Sequence, residues 1–287
     1  MTRRYGAQSM VAPLRRVMVR PPDAAFGTAD PITWHYTARP DLTRATSEHQ
    51  ALVRMLTEAG AEVIVHDEPL SGRADAIYVH DPVLVTDRGA ILMRMGKPLR
   101  RGEEEAIGRC LERAGVPILA RLHGDALGEG GDCLWLDQST LAVGLGYRTN
   151  AAGLTQLRAA LGPEIQVIPV ELPYYTGPDA CLHLMSLISL VADDLAVVYP
   201  SLMAVPFYRL LEERNIRMVV VPQEEFLTMG SNVLALAPRH CLMLEGNPVT
   251  KAGLEAAGCS VLTYRGTDIS LKAEGGPTCL TRPVLRG

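Results

Sequence analysis

Apolar and polar positions along this chain recur as a unit: two short apolar strands around a turn, a loop, an amphipathic helix and a further apolar strand. One copy runs from PVLVTDRGAILMR (82–94), where Asp87-Arg88-Gly89 marks a hairpin turn, through GEEEAIGRCLERAG (102–115) into VPIL (116–119). Its helix opens on three glutamates and stops at Gly115, as the helix dipole and C-cap preferences favour. A second copy reads CLWLDQSTLAVG (133–144), NAAGLTQLRAALG (150–162) and IQVIPV (165–170), with Asn150 as N-cap and Gly162 as stop.

The third copy is shorter, LAVVYP (195–200), MAVPFYRLLEERN (203–215) and IRMVVVP (216–222), which predicts a trimmed hairpin. The fourth reads VLALAPRHCLMLEG (233–246), VTKAGLEAAG (249–258) and CSVLTY (259–264). Ahead of these lie LRRVMVRPP (14–22), a polar insertion with Trp34 and Tyr36, a helix near SEHQALVRMLTEAG (47–60) and AEVIVHD (61–67). This fifth unit lacks one hairpin strand, and CLTRPVL (279–285) at the other end is expected to supply it. The chain 1–287 then reads as a single α/β domain, a propeller-like ring of five units around a central channel. An ordinary α/β sandwich with five helices is the competing architecture. The ring makes one demand: equivalent loops converge at one end of the channel, so chemistry is spread along the chain at repeat-like intervals.

Composition narrows the function. Of 287 residues 47% are hydrophobic and 21% charged, the balance of a folded protein. The 28 basic and 32 acidic residues give a net charge of −4, without the positive excess that binding to nucleic acid favours. No signal-type apolar run follows the start, and nowhere do about 18 apolar residues run together, so a soluble cytoplasmic protein with a small-molecule partner and no membrane is expected. A homo-oligomer is left open. The cysteines Cys110, Cys133, Cys181, Cys241, Cys259 and Cys279 form no CxxC pair, hence neither a zinc spacing nor a dense disulfide framework, and most read as buried thiols.

Several polar residues interrupt the apolar pattern. In ADAIYVHDPVLV (74–85), Asp75 and Asp81 would share one face of a strand and together could hold a guanidinium, although such carboxylates commonly serve turns and caps. In GEGGDCLWL (128–136), Glu129 and Asp132 enclose two glycines, and Glu129 falls where the ring would put it at the channel mouth. His183 lies in the apolar run PDACLHLMSLISLV (178–191), where a core histidine is the plainer reading. Cys279 follows a Gly275-Gly276-Pro277 turn at a loop-to-strand edge, whereas Cys110, Cys133, Cys241 and Cys259 sit inside apolar patterns; Cys279 is the thiol to choose as nucleophile.

Taken in order, ADAIYVHDPVLV, LGEGGDCLWL, CLHLMS and GGPTCLTRPVLR resemble the guanidine-modifying penteins, most closely the dimethylarginine dimethylaminohydrolases, over nearly the whole chain. The resemblance implies a five-bladed α/β propeller with pseudo-fivefold symmetry. It also implies Cys279 as nucleophile, His183 as general acid and base, Glu129 as the carboxylate that orients it, and Asp81 as guanidinium anchor. Asp75 matches a further substrate-contacting aspartate. Arg100 and Arg148 fall near the arginines that grip the amino-acid carboxylate, with Arg101 as an alternative to Arg100. The implied reaction takes a methylated arginine to citrulline and a methylamine through an S-alkylthiouronium, with no metal or organic cofactor.

Two departures bear on the substrate. Met185 stands two residues after the histidine, where arginine deiminases and amidinotransferases carry an aspartate, which disfavours unsubstituted arginine. His80 stands where dimethylargininases commonly have an acidic or amide residue, so another modified guanidine stays open. The competing functions are an amidinotransferase and a non-catalytic pentein that resembles ring-shaped ribosome-associated initiation factors. The insertion around Phe26 to Pro40, with Gly27 and Pro31 as hinge points, reads as a lid.

Overall fold

The computed structural model describes residues 3–287, and its strands form five three-stranded sheets. In the first blade β1 (Leu14–Val19) leads through two short helical turns, α1 (Ala24–Gly27) and α2 (Pro31–Trp34), to α3 (Leu42–Glu58) and β2 (Glu62–Val65). The second blade is β3 (Val83–Thr86), β4 (Gly89–Leu92), α4 (Glu103–Arg113) and β5 (Ile118–Arg121). The third is β6 (Cys133–Asp137), β7 (Thr140–Leu145), α5 (Ala151–Leu161) and β8 (Gln166–Glu171). The fourth is β9 (Ile188–Ala192), β10 (Leu195–Val198), α6 (Val205–Glu213) and β11 (Arg217–Val220), followed by the turn α7 (Gln223–Phe226). The fifth is β12 (Leu234–Ala237), β13 (His240–Leu244), α8 (Pro248–Ala256) and β14 (Ser260–Tyr264), and β15 (Arg282–Arg286) ends the chain.

In each blade the middle strand runs antiparallel to its hairpin partner and parallel to the strand that returns after the helix. The first blade obeys the same rule with the strand from the far end: β15 pairs antiparallel with β1, Leu14 opposite Arg286 and Val17 opposite Pro283, while β2 pairs parallel to β1. The two ends of the chain therefore close the ring, and the five-bladed propeller expected from the repeat is the fold.

The hairpin strands β3, β4, β9 and β10 are buried at every position, whereas β2, β5 and β11 are half-buried or exposed. This explains why the hairpins read as continuous apolar runs: both faces meet protein. The helices cover the outside. Asn150 caps α5 by accepting from Gly153 N, and Glu103, Glu104 and Glu105 occupy the first turn of α4. One expectation is corrected. The third copy has no trimmed hairpin: LAVVYP is its middle strand, and the missing partner β9 is the apolar run just after His183, turned back at Asp193-Asp194.

Candidate active site

Each blade contributes one polar residue to the same end of the channel, in the loop just before its hairpin. Asp81 precedes β3, Glu129 precedes β6, His183 precedes β9, Asn232 precedes β12 and Cys279 precedes β15. Asp81, His183 and Cys279 line one cavity together with Asp75, Lys97, Arg100, Arg148, Trp34, Tyr36 and Tyr78. An adjoining lobe adds Asn232 and shares Cys181, His183, Glu274 and Cys279 with the first. The convergence that the repeat demanded is met.

The geometry of His183 is set by Glu129. Its Nε2 donates to Glu129 Oε2 at 2.7 Å, and Glu129 Oε1 accepts from the backbone N–H of Gly96 at 2.8 Å and from Arg148 Nη1 at 3.2 Å. Glu129 is fully buried, which by itself would raise its pKa, but Arg148 and His183 outweigh burial and hold it well below the usual carboxylate range. An ionised carboxylate only accepts, so the imidazole proton on this side is at Nε2 and Nδ1 faces the cavity. Nδ1 lies 3.8 Å from Cys181 Sγ and 4.0 Å from Asp81 Oδ1. Burial opposes the imidazolium, yet Cys181, Asp81 and Asp132 raise the His183 pKa well above its ordinary value.

The two glycines of the GEGGD motif are required by close approach. A Cβ on Gly131 would come within 2.5 Å of His183 Nδ1 and 2.9 Å of Asp81 Oδ1, and a Cβ on Gly130 would collide with the carbonyl of His80. Asp132 is scaffolding beneath: its carboxylate accepts from Leu184 N at 2.9 Å and from the Thr149 hydroxyl at 2.6 Å, fixing the turn that carries His183.

Cys279 sits in a turn between the Gly276-Pro277 corner and β15 rather than on a strand. Its Sγ accepts from Asn232 Nδ2 at 3.3 Å, while Asn232 Oδ1 accepts from Thr278 N at 3.0 Å. Burial pushes this thiol up to about 12, with Asp81 and Cys181 adding to the rise and His183 opposing it. Cys181 behaves in the opposite way: it is exposed, and although burial of the sulfur acts against it, His183 and Arg148 draw its pKa below that of a free thiol. Cys110, Cys133, Cys241 and Cys259 are buried, as their apolar contexts predicted.

Asp75 and Asp81 do not share a strand face. Asp75 lies in a helical turn (Ala74–Ile77), where it accepts from Lys97 Nζ at 2.6 Å and from the Tyr36 hydroxyl at 2.7 Å. Asp81 lies in the following loop and accepts from Arg100 Nη1 at 2.6 Å and Gly131 N at 3.1 Å; the two carboxylates meet at the cavity because the chain bends between them. Arg100 is buried and also donates to Tyr78 O and, through Nε and Nη2, to Glu103, so four of its five donors meet protein acceptors. Arg148 contacts Glu129 through Nη1, and its other donors have no protein partner among the described residues. Arg101 is exposed and lines neither lobe.

His80 and Met185 point elsewhere. His80 Nδ1 contacts Thr281 O at 2.9 Å, burial lowers its pKa to about 3, and with Met185 it lines a small separate cavity under the channel. Met185 belongs to the core cluster with Leu134, Ile188 and Ala235, so its side chain does not shape the active-site cavity. Trp34, His35 and Tyr36 of the insertion do line that cavity, and Lys97 Nζ binds the Trp34 carbonyl at 2.9 Å.

Among the described residues, Asp81, Glu129 and His183 bring one possible ligand atom each within 4.8 Å of one another. These atoms already face Arg100, Arg148 and each other, which makes the trio an acid–base network whose carboxylates are neutralised by protein cations. Asn232, Cys181 and Lys97 escaped the sequence reading as site residues. The repeat could have found Asn232, since it holds in the fifth blade the position that Asp81 holds in the second.

The family described as "N,N dimethylarginine dimethylhydrolase, eukaryotic" matches residues 34–286. The chain belongs to the dimethylarginine dimethylaminohydrolase family. Within this family it is 30% identical over 273 residues to the N(G),N(G)-dimethylarginine dimethylaminohydrolase of Streptomyces coelicolor, covering 94% of this chain and 96% of that protein. The Pseudomonas aeruginosa enzyme of the same name is 25% identical over 270 residues, covering 93% and 98%. A mutant of a Pseudomonas aeruginosa dimethylarginine dimethylaminohydrolase solved in complex with citrulline superposes with a TM-score of 0.78 at 23% identity, covering 96% of this chain and all of that one. No helix among the described residues is long and apolar enough to cross a membrane.

Proposed function

We propose that the chain acts as one catalytic unit, a cysteine hydrolase that converts N-methylated L-arginines to citrulline and a methylamine. The observation that carries this reading is the alignment of Cys279, His183 with its Nε2 bound to Glu129, and Asp81 around one cavity. Membership of the dimethylarginine dimethylaminohydrolase family and the citrulline complex of a related protein support it.

The residues suggest how each step proceeds. At rest Cys279 is a neutral thiol, since burial holds it up to about 12. A guanidinium beside Asp81 brings positive charge next to the sulfur, which favours the thiolate; the thiol proton leaves to solvent and the sulfur adds to the guanidinium carbon. The C–N bond to the methylated amine then breaks as His183 Nδ1 gives it a proton, leaving an S-alkylthiouronium on Cys279. Neutral Nδ1 next takes one proton from water, whose oxygen bonds to the same carbon; the S–C bond then breaks as that oxygen becomes the citrulline carbonyl and its second proton passes to the sulfur. Citrulline departs and Cys279 is restored.

Asp81 anchors the guanidinium in this scheme and Asp75 flanks it. Arg148, with donors free on the cavity side, holds the substrate carboxylate; Arg100 lies at the same place but acts through Asp81. Citrulline release from asymmetric dimethylarginine, monomethylarginine and arginine, measured side by side and repeated with Cys279→Ser, tests the reading. Turnover of the methylated forms that vanishes in the variant supports it. Citrulline that persists in Cys279→Ser, or ornithine and an amidinated amine formed in place of citrulline when an acceptor amine is added, overturns it.

A further inference from the structure

Cys279 and His183 sit between two lobes of unlike character. The charged lobe, about 40 Å³, holds Asp75, Asp81, Lys97, Arg100 and Arg148. The second lobe, about 190 Å³, has an apolar wall of Tyr175, Ala180, Leu182, Phe226, Leu227 and Met229 and a polar side of three hydroxyls, Asn232 beside the sulfur and the Glu274 carboxyl, whose pKa burial raises. It exceeds by an order of magnitude the about 10–15 Å³ that a single water needs. Neither lysine nor arginine lines it, so a substrate carboxylate finds its cations only in the first lobe.

The wall of the second lobe is built rather than incidental. Phe226 stacks on Tyr199 with ring centroids 4.0 Å apart, and Tyr175 meets Phe226 edge-on at 6.2 Å. Six non-glycine residues adopt positive φ among the described residues; four of them, His35, Tyr175, Met229 and Glu274, line the two lobes. Backbone held in that region costs free energy and concentrates where a site needs it.

From this pairing we infer that the second lobe receives an uncharged, largely apolar substituent on a guanidinium nitrogen, larger than methyl. The substrate class is therefore Nω-alkyl- and Nω-aralkyl-L-arginines, and the departing group is the corresponding primary amine. The inference rests on the hydrolase reading above and uses the same steps: the S–C bond forms, the C–N bond to the larger amine breaks with a proton from His183, and water releases citrulline. Burial of each added methylene is worth about a fourfold gain.

The test is kcat/KM of the full chain for Nω-methyl-, Nω-propyl- and Nω-benzyl-L-arginine, followed by citrulline release. A rise of roughly fifteenfold from methyl to propyl, kept or exceeded by benzyl, is expected. Ala180→Trp, which fills the lobe from a half-buried loop position, then lowers the benzyl-to-methyl ratio tenfold or more. Turnover of the methyl substrate with propyl and benzyl reduced a hundredfold overturns the inference and leaves the hydrolase reading standing. A ratio unmoved by Ala180→Trp overturns the assignment of this lobe. Silence with all three substrates overturns the hydrolase reading itself and the inference with it.

Discussion

The guanidinium of Arg100 lies 2.6 Å from Asp81 Oδ2, so the carboxylate proposed to anchor a substrate guanidinium already carries one from the protein. The same arginine meets Glu103 at 2.9 Å, and all three side chains are buried. Removing the cation would strand two buried carboxylates, a loss of about 3–5 kcal/mol. Arg100→Gln is therefore expected to lower Tm by roughly 10 °C, read by thermal denaturation. An unchanged Tm with only KM raised would instead make Arg100 a simple substrate ligand.

The two thiols of the cavity differ in reactivity. With burial pushing Cys279 up to about 12, its thiol is protonated at pH 7.5. Cys181 is exposed and drawn down by His183 and Arg148. Iodoacetamide, which is neutral, is expected to label Cys181 first, whereas a cationic haloacetamidine labels Cys279 first. Peptide mass spectrometry distinguishes the two, and faster labelling of Cys279 by the neutral reagent would contradict the protonated resting state.

Glu129 fixes the proton at Nε2 of His183. In Glu129→Gln the amide can present its NH₂ to that nitrogen and reverse the tautomer, so a loss in kcat of about 10³–10⁴ is expected. Gly131→Ala should be comparably inactive, because its Cβ would come within 2.5 Å of His183 Nδ1. Steady-state kinetics with folding checked by circular dichroism reads both. Retention of a tenth of the activity in either would show that His183 is not held as described.

Much of this was legible in the chain. The repeat predicted the blades, and the closure of β1 by β15 followed from one missing strand. Cys279 and Glu129 stood out beside glycine turns, whereas His183 read as a core histidine until the family resemblance gave it a role. What stayed hidden depended on contacts across blades. Nothing local says that Arg100 faces Asp81, that Met185 turns into the core, or that Cys181 reaches His183. β9 was missed for a related reason: a strand buried on both faces and joined to the apolar segment around His183 has no alternation to mark where it begins.

Stability should fall in mild acid through buried histidines. Burial lowers the pKa of His49 and of His66 from 6.5 to about 4 in the folded chain. The unfolded chain binds those protons first, so their contribution is whole above pH 6.5 and is lost as pH falls toward 4. Burial acts oppositely on Glu103, raised to about 7, and on Asp132, raised to about 6; these favour the folded state at low pH and lose that contribution as pH rises. His49→Leu removes one acid-labile group, and denaturant unfolding should show its slope of stability against pH reduced by up to about 1.4 kcal/mol per pH unit between pH 6.5 and 4. A slope identical to the unsubstituted protein would contradict this.

The central claim is covalent attack by Cys279. Acid quenching during turnover of monomethylarginine, followed by peptide mass spectrometry, tests it directly. The peptide containing Cys279 is expected to gain the mass of the substrate less the departing methylamine, and Cys279→Ser to show neither adduct nor citrulline. An adduct on Cys181, or citrulline formed at full rate by Cys279→Ser, would contradict the account.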